Sequence, residues 1–111
     1  MDDDPESVSR ARALARPDAI AELADPALRK IVRSYLVREA LPVMPRAGAK
    51  RAALLAYLAT AFEPGVKYSE PEVNATVAVW HPDVAALRRY LVDEGLMSRQ
   101  DGRYWRSGGW L

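Results

Sequence analysis

Apolar positions recur at helical spacings over most of the chain and alternate with polar ones only near its end. Residues 7–16 place Val8, Ala11 and Leu14 or Ala15 on one side of a short helix, which Pro17 interrupts. A second short turn runs through Ile20 and Leu23. Asp25-Pro26 then predicts a helix start, with an Asp cap and proline at the first helical position. Leu28, Ile31, Val32, Tyr35 and Leu36 follow as one apolar stripe, with Arg29, Lys30, Arg33 and Arg38 on the other sides. That stripe needs a partner surface, either the rest of the chain or a second copy in a two-fold homodimer through the N-terminal helices. Pro42 and Pro45 predict an extended connector over 41–46. Lys50 to Phe62 reads as the next helix, its core face Leu54, Leu55, Leu58, Ala61 and Phe62, stopped by Glu63-Pro64-Gly65.

Val66-Lys67-Tyr68 suits one short strand. Ser69-Glu70-Pro71-Glu72 has the form of a capping box and opens a helix with Val73, Thr76, Val77 and Trp80 on one face. His81-Pro82 ends it, and His81 fits an N-cap or turn role there. Val84, Leu87 and Leu91 stripe a helix over 82–94, which Gly95 closes. Leu96–Arg99 and Arg103–Arg106 read as strands around a tight Asp101-Gly102 turn. Helix, strand, helix, helix, strand, strand is the order of a winged helix-turn-helix. The expected architecture is therefore mainly α with a small β-hairpin: a winged helix over 47–106, preceded by two or three helices within 7–40. A disordered acidic tail at 1–6 and a flexible tail at 107–111 flank it, and Trp110-Leu111 could dock on a partner or on its own domain.

Composition narrows the chemistry. Without cysteine the chain has no disulfide, thiol nucleophile, zinc finger or iron–sulfur site, which suits a cytoplasmic protein. No apolar run nears the roughly 18–20 residues of a membrane span. The lone histidine, His81, has no carboxylate or thiol partners in a ligand pattern, and no phosphate-cradling glycine loop or Ser-His-Asp set is present. No enzyme activity, cofactor or metal is expected. The net charge of +1 includes the acidic start, so the body after residue 6 is mildly basic, which permits nucleic-acid binding without demanding it. The excess of arginine over lysine and the many alanines read first as the coding bias of a GC-rich bacterium.

One string of residues carries a family resemblance. It comprises Leu41-Pro42, Pro45, Lys50-Arg51, Leu54-Leu55, Tyr57-Leu58, Phe62-Glu63, Gly65, Tyr68-Ser69-Glu70, Glu72-Val73-Asn74, His81, Asp83, Ala85, Leu87-Arg88-Arg89, Leu91-Val92-Asp93, Gly95-Leu96 and Tyr104-Trp105-Arg106. In these the chain resembles a bacterial winged-helix-like domain-of-unknown-function family, found alone or appended C-terminal to ArsR-type transcriptional regulators. The resemblance implies a winged-helix-like fold and a regulatory setting, and it supplies no catalytic residues. Leu23 to Arg29 is similar to the first helix of ArsR regulators, or is simply a well-capped helix.

These readings predict a DNA-binding transcriptional regulator. Helix 82–94 would enter the major groove of double-stranded DNA, and the wing at 96–106 would meet phosphates. Arg89 points away from the core stripe, and Ala86 and Tyr90 share its side of the helix. Arg88 lies on the flank, where it either reaches DNA or covers the core and pairs with an acid such as Glu72 or Asp93. Arg99, Arg103 and Arg106 bracket the wing, where they touch phosphate or protect an exposed edge. Lys50 and Arg51 crowd a helix start, a misplacement that points to an anionic neighbour, nucleic acid or an acidic surface of the same chain. The alternative is a winged-helix module for protein–protein interaction, or an RNA-binding one, without specific DNA binding. The alanine-rich recognition face, poor in Asn, Gln, Ser and Thr, favours that alternative.

Overall fold

The computed structural model describes residues 4–109. Within them the chain runs α1 (Glu6–Leu14), α2 (Pro17–Ala21), α3 (Pro26–Tyr35), α4 (Ala49–Ala59), β1 (Tyr68–Ser69), α5 (Glu70–Val77), α6 (Val84–Asp93), β2 (Met97–Gln100) and β3 (Arg103–Arg106). The fold is mainly helical with one small antiparallel sheet.

Local chemistry sets the helix starts. The Asp25 carboxylate accepts from the amides of Ala27 and Leu28 at 2.9 and 3.4 Å, with Pro26 at the first helical position. Ser69 and Glu72 close a full capping box: the Ser69 hydroxyl accepts from the Glu72 amide while the Glu72 carboxylate accepts from the Ser69 amide. At α6 the cap is Asp83, which accepts from the Ala86 amide at 3.1 Å. His81, read as an N-cap or turn residue, instead sets its Nδ1 2.7 Å from the Leu41 carbonyl and ties the connector to the end of α5. The turn after α4 likewise begins earlier than its sequence punctuation. The helix ends at Ala59, although Gly65 does carry the left-handed φ expected of it.

The strands order as β1–β3–β2, both pairs antiparallel. Asp101 and Gly102 turn the β2–β3 hairpin with φ of 53° and 75°. This primed geometry follows the strands' own twist. In this register Arg99 opposes Tyr104 and Gln100 opposes Arg103. Arg99 and Tyr104 therefore share the inner face of the hairpin, and Arg103 and Trp105 share the outer one. Tyr104 is buried, whereas Trp105 is half-exposed beneath the Lys67 ammonium at 5.2 Å.

One core runs through both halves of the chain. Leu54, Leu55, Leu58 and Phe62 meet Val73, Val77, Trp80, Leu87 and Leu91, and Ala11, Ala15, Ile20, Val32 and Leu36 join them. The stripe on α3 is met inside the chain, since α3 packs on α2 and α4. Val32 and Leu36 are buried, while Leu28, Ile31 and Tyr35 are half-buried. Polar bonds reinforce the join. The Trp80 indole donates to the Ala11 carbonyl at 2.9 Å, Tyr57 donates to the Leu14 carbonyl at 2.6 Å, and Arg10 Nε donates to the Ala61 carbonyl at 2.7 Å.

The described residues near each end are more ordered locally than their composition suggests. Glu6 opens α1, so the helix takes in the last residue of the expected acidic tail, and Asp4 pairs with Arg12 at 3.6 Å. At the other end, the amides of Ser107 and Gly108 both donate to the Leu96 carbonyl. Gly108 sits so close to Gly95 that a β-carbon would collide with the Gly95 carbonyl oxygen. Residues 107–109 thus pack back on the domain. The expectations for residues 1–3 and for Trp110-Leu111 lie outside the described residues.

Candidate nucleic-acid interface

Helix α6 turns Leu87 and Leu91 into the core, which leaves Ala85, Arg89 and Asp93 on its exposed face. Strand β2 packs against α6, so the β2–β3 hairpin flanks that face. Between them lies a groove of about 330 Å³ lined by Ala85, Arg88, Arg89, Val92, Asp93, Arg99 and Tyr104. Arg89 and Arg99 stand exposed at this groove. Their guanidiniums lie 5.5 Å from the Tyr90 ring and 5.7 Å from the Tyr104 ring, orienting platforms that leave the N–H groups available.

Other basic candidates are engaged within the chain. Arg88 donates to the Asn74 side-chain oxygen, lies 3.6 Å from the Glu70 carboxylate and sits 5.9 Å from the Tyr104 ring. The pairing acid is Glu70, not the Glu72 or Asp93 considered from sequence. Glu70 also accepts from the Tyr104 hydroxyl at 3.1 Å, so Arg88 helps fix α6 against α5 and the sheet. Arg51 lies 3.6 Å from Glu94 and 4.4 Å over the Tyr90 ring, so its anionic neighbour belongs to the same chain. Its Nε is buried without a hydrogen bond, the ion pair being too long to count as one. Arg106 donates to the carbonyls of Gly108 and Gly109, and burial pushes its pKa down.

The remaining candidates scatter. Arg103 is exposed on the outer face of the hairpin, opposite to Arg99. Lys50 borders a separate groove with Lys30, Ile31 and Tyr35 of α3. Ala86 is half-buried and gives its amide to the α6 cap, and the Tyr90 ring has the Arg51 and Arg89 guanidiniums 4.4 and 5.5 Å from its centre. Of the residues expected to face DNA, the structure brings Arg89 and Arg99 together and places Arg103 around the edge.

Glu70, Asn74 and Glu94 were not legible as site-shaping residues. Glu70 and Asn74 are four apart on α5, a spacing that puts them on one face for a shared partner, but nothing local identifies Arg88 as that partner. Among the described residues no group of three or more His, Cys, Asp and Glu could hold a metal, and no helix is long and apolar enough to cross a membrane.

The family model described as an uncharacterized protein conserved in bacteria, DUF2087, matches residues 40–106, the stretch that runs from the connector before α4 to the end of β3. The chain belongs to the DUF2087 family. The DUF2087 region contains the whole groove between α6 and the hairpin, while α1, α2 and α3 precede it. No curated protein and no solved structure matches the chain.

Proposed function

We propose that the DUF2087 region is a winged helix that binds duplex DNA as a transcriptional regulator, with α6 in the major groove and the β2–β3 hairpin on the flanking phosphates. The carrying observation is the single groove lined by both Arg89 of α6 and Arg99 of the hairpin. The element order α4–β1–α5–α6–β2–β3 and the strand order β1–β3–β2 support the winged-helix reading. Ala85 on the exposed face allows close approach to the groove floor. That face offers no Asn, Gln, Ser or Thr side chain for base edges, so phosphate contact and DNA shape carry most of the binding. Asp93 lines the same groove and opposes a phosphate there, which limits affinity.

The test is fluorescence anisotropy of a labelled duplex across a salt series. Arg89→Ala/Arg99→Ala is expected to reduce the log–log salt slope by about 2, given roughly 0.9 per phosphate contact. Arg33→Ala, on α3, should leave it unchanged. Absence of binding at low salt, or a slope indifferent to Arg89 and Arg99, would overturn the reading and favour a protein partner.

A further inference from the structure

A second concave surface lies away from α6 and the hairpin. It has a volume of about 610 Å³ and gathers the arginines Arg12, Arg16 and Arg38 around a floor of Ala75, Ala78 and Val79. The arginines come from before the DUF2087 region and the floor from within it, so the groove exists only where the two parts meet. We propose that this groove binds an organic diphosphate, with the phosphates held by the three guanidiniums and an apolar body lying on the alanine floor.

Four observations support this. First, the lining holds three arginines and a single acid, Glu39, an excess of positive charge in a concave site. Second, the side chains of Arg16 and Arg38 have no hydrogen bond or ion pair among the described residues. Their donors are available to a fork-shaped acceptor such as phosphate. Third, Arg38 is held in place at a backbone cost. Arg38 and Glu39 both adopt left-handed φ, 52° and 66°, at the centre of a two-residue turn where glycine or asparagine is favoured. The turn is closed by hydrogen bonds between Val37 and Ala40 at 2.8 and 3.1 Å, and Leu41 anchors it by donating to the Trp80 carbonyl at 2.7 Å. Fourth, the Asp4 carboxylate lies 3.6 Å from Arg12, an anion of the chain itself beside one of the three arginines. The volume exceeds what a lone phosphate needs and falls in the range of small-molecule sites, roughly 300–1,000 Å³.

The experiment is isothermal titration of the full chain with a nucleoside diphosphate and, separately, with pyrophosphate. Saturable binding of the nucleoside diphosphate is expected, with Arg16→Ala/Arg38→Ala weakening it about tenfold or more, which is about 1.4 kcal/mol. Ala75→Glu, which removes no arginine, should weaken it as much, and Asp4→Asn should tighten it. All four substituted positions are exposed, and circular dichroism checks that each variant is folded. No saturable heat, or binding that none of these variants changes, overturns the proposal. Pyrophosphate binding as tightly as the nucleoside diphosphate overturns the role of the alanine floor. If Arg16→Ala/Arg38→Ala weakens duplex binding as strongly as Arg89→Ala/Arg99→Ala, the groove is a DNA-backbone contact and the diphosphate proposal fails. The two sets of variants share no residue, so failure here is distinguishable from failure of the DNA reading.

Discussion

A hydroxyl pair buried between α1 and α5 gives a quantitative test of whether the N-terminal helices and the DUF2087 region fold as one unit. Ser7 and Thr76 are both fully buried, and their hydroxyl oxygens lie 2.8 Å apart. Thr76 has one hydroxyl hydrogen and directs it at the Glu72 carbonyl at 2.8 Å. Ser7 must therefore be the donor to Thr76. This direction makes the two single substitutions unequal. Ser7→Ala removes one hydrogen bond but leaves Thr76 donating to Glu72, a loss of about 1 kcal/mol. Thr76→Val strands the Ser7 hydroxyl in an apolar interior, a loss of about 1–3 kcal/mol. The Glu72 carbonyl keeps its helical amide partner in either case. In the double variant no donor is stranded, so it should be more stable than the sum of the single losses implies, with a coupling of about 1 kcal/mol or more. The assay is equilibrium urea unfolding followed by tryptophan fluorescence. Trp80 is a local reporter because its indole crosses the same interface to Ala11. Equal losses for the two single variants, or losses that add to within about 0.5 kcal/mol, would refute the assigned direction. Separate transitions for different probes would refute the single folding unit.

The other predictions concern the groove, the C-terminal turn and pH. Arg88→Ala should lower stability by about 1–3 kcal/mol in urea unfolding, since it removes the cation that Glu70 and Asn74 share, while exposed Arg89→Ala should stay within roughly 0.5 kcal/mol of wild type. Asp93→Asn should tighten duplex binding in the anisotropy assay, because it removes the anion that opposes phosphate in the groove. Gly108→Ala should cost about 1–3 kcal/mol by forcing residues 107–109 off Gly95, and no measurable change would mean that this segment is not docked. Burial raises the pKa of Tyr57 above the ordinary 10.0. The neutral hydroxyl is the form the fold favours, so its contribution is complete below pH 10 and is lost as pH rises through the folded value. Tyr57→Phe should lose about 1 kcal/mol at neutral pH and show a shallower alkaline loss of stability in pH-dependent melting.

The sequence determined by itself what depends on neighbours along the chain. Asp25-Pro26 and Ser69-Glu72 cap their helices through contacts that span three residues, and Asp101-Gly102 turns the hairpin because those residue types tolerate left-handed backbone. The apolar stripes on α4, α5 and α6 were legible for the same reason, since helical geometry alone sets which positions share a face. Tyr104 and Trp105 are neighbours on β3, and strand alternation lets only one of them face the core. The choice was decided when the sheet turned Tyr104 inward. Charge placement was decided in the same way. Arg51, Arg88, Arg89, Arg99 and Arg106 were all DNA-contact candidates in sequence, but folding brings Glu94 to the first, Glu70 and Asn74 to the second and the Gly108 and Gly109 carbonyls to the last. What remains exposed is the pair Arg89 and Arg99. The arginine groove between α1, the 37–40 turn and α5 is wholly a product of tertiary structure, because residues up to 67 positions apart meet there and no local pattern records that meeting.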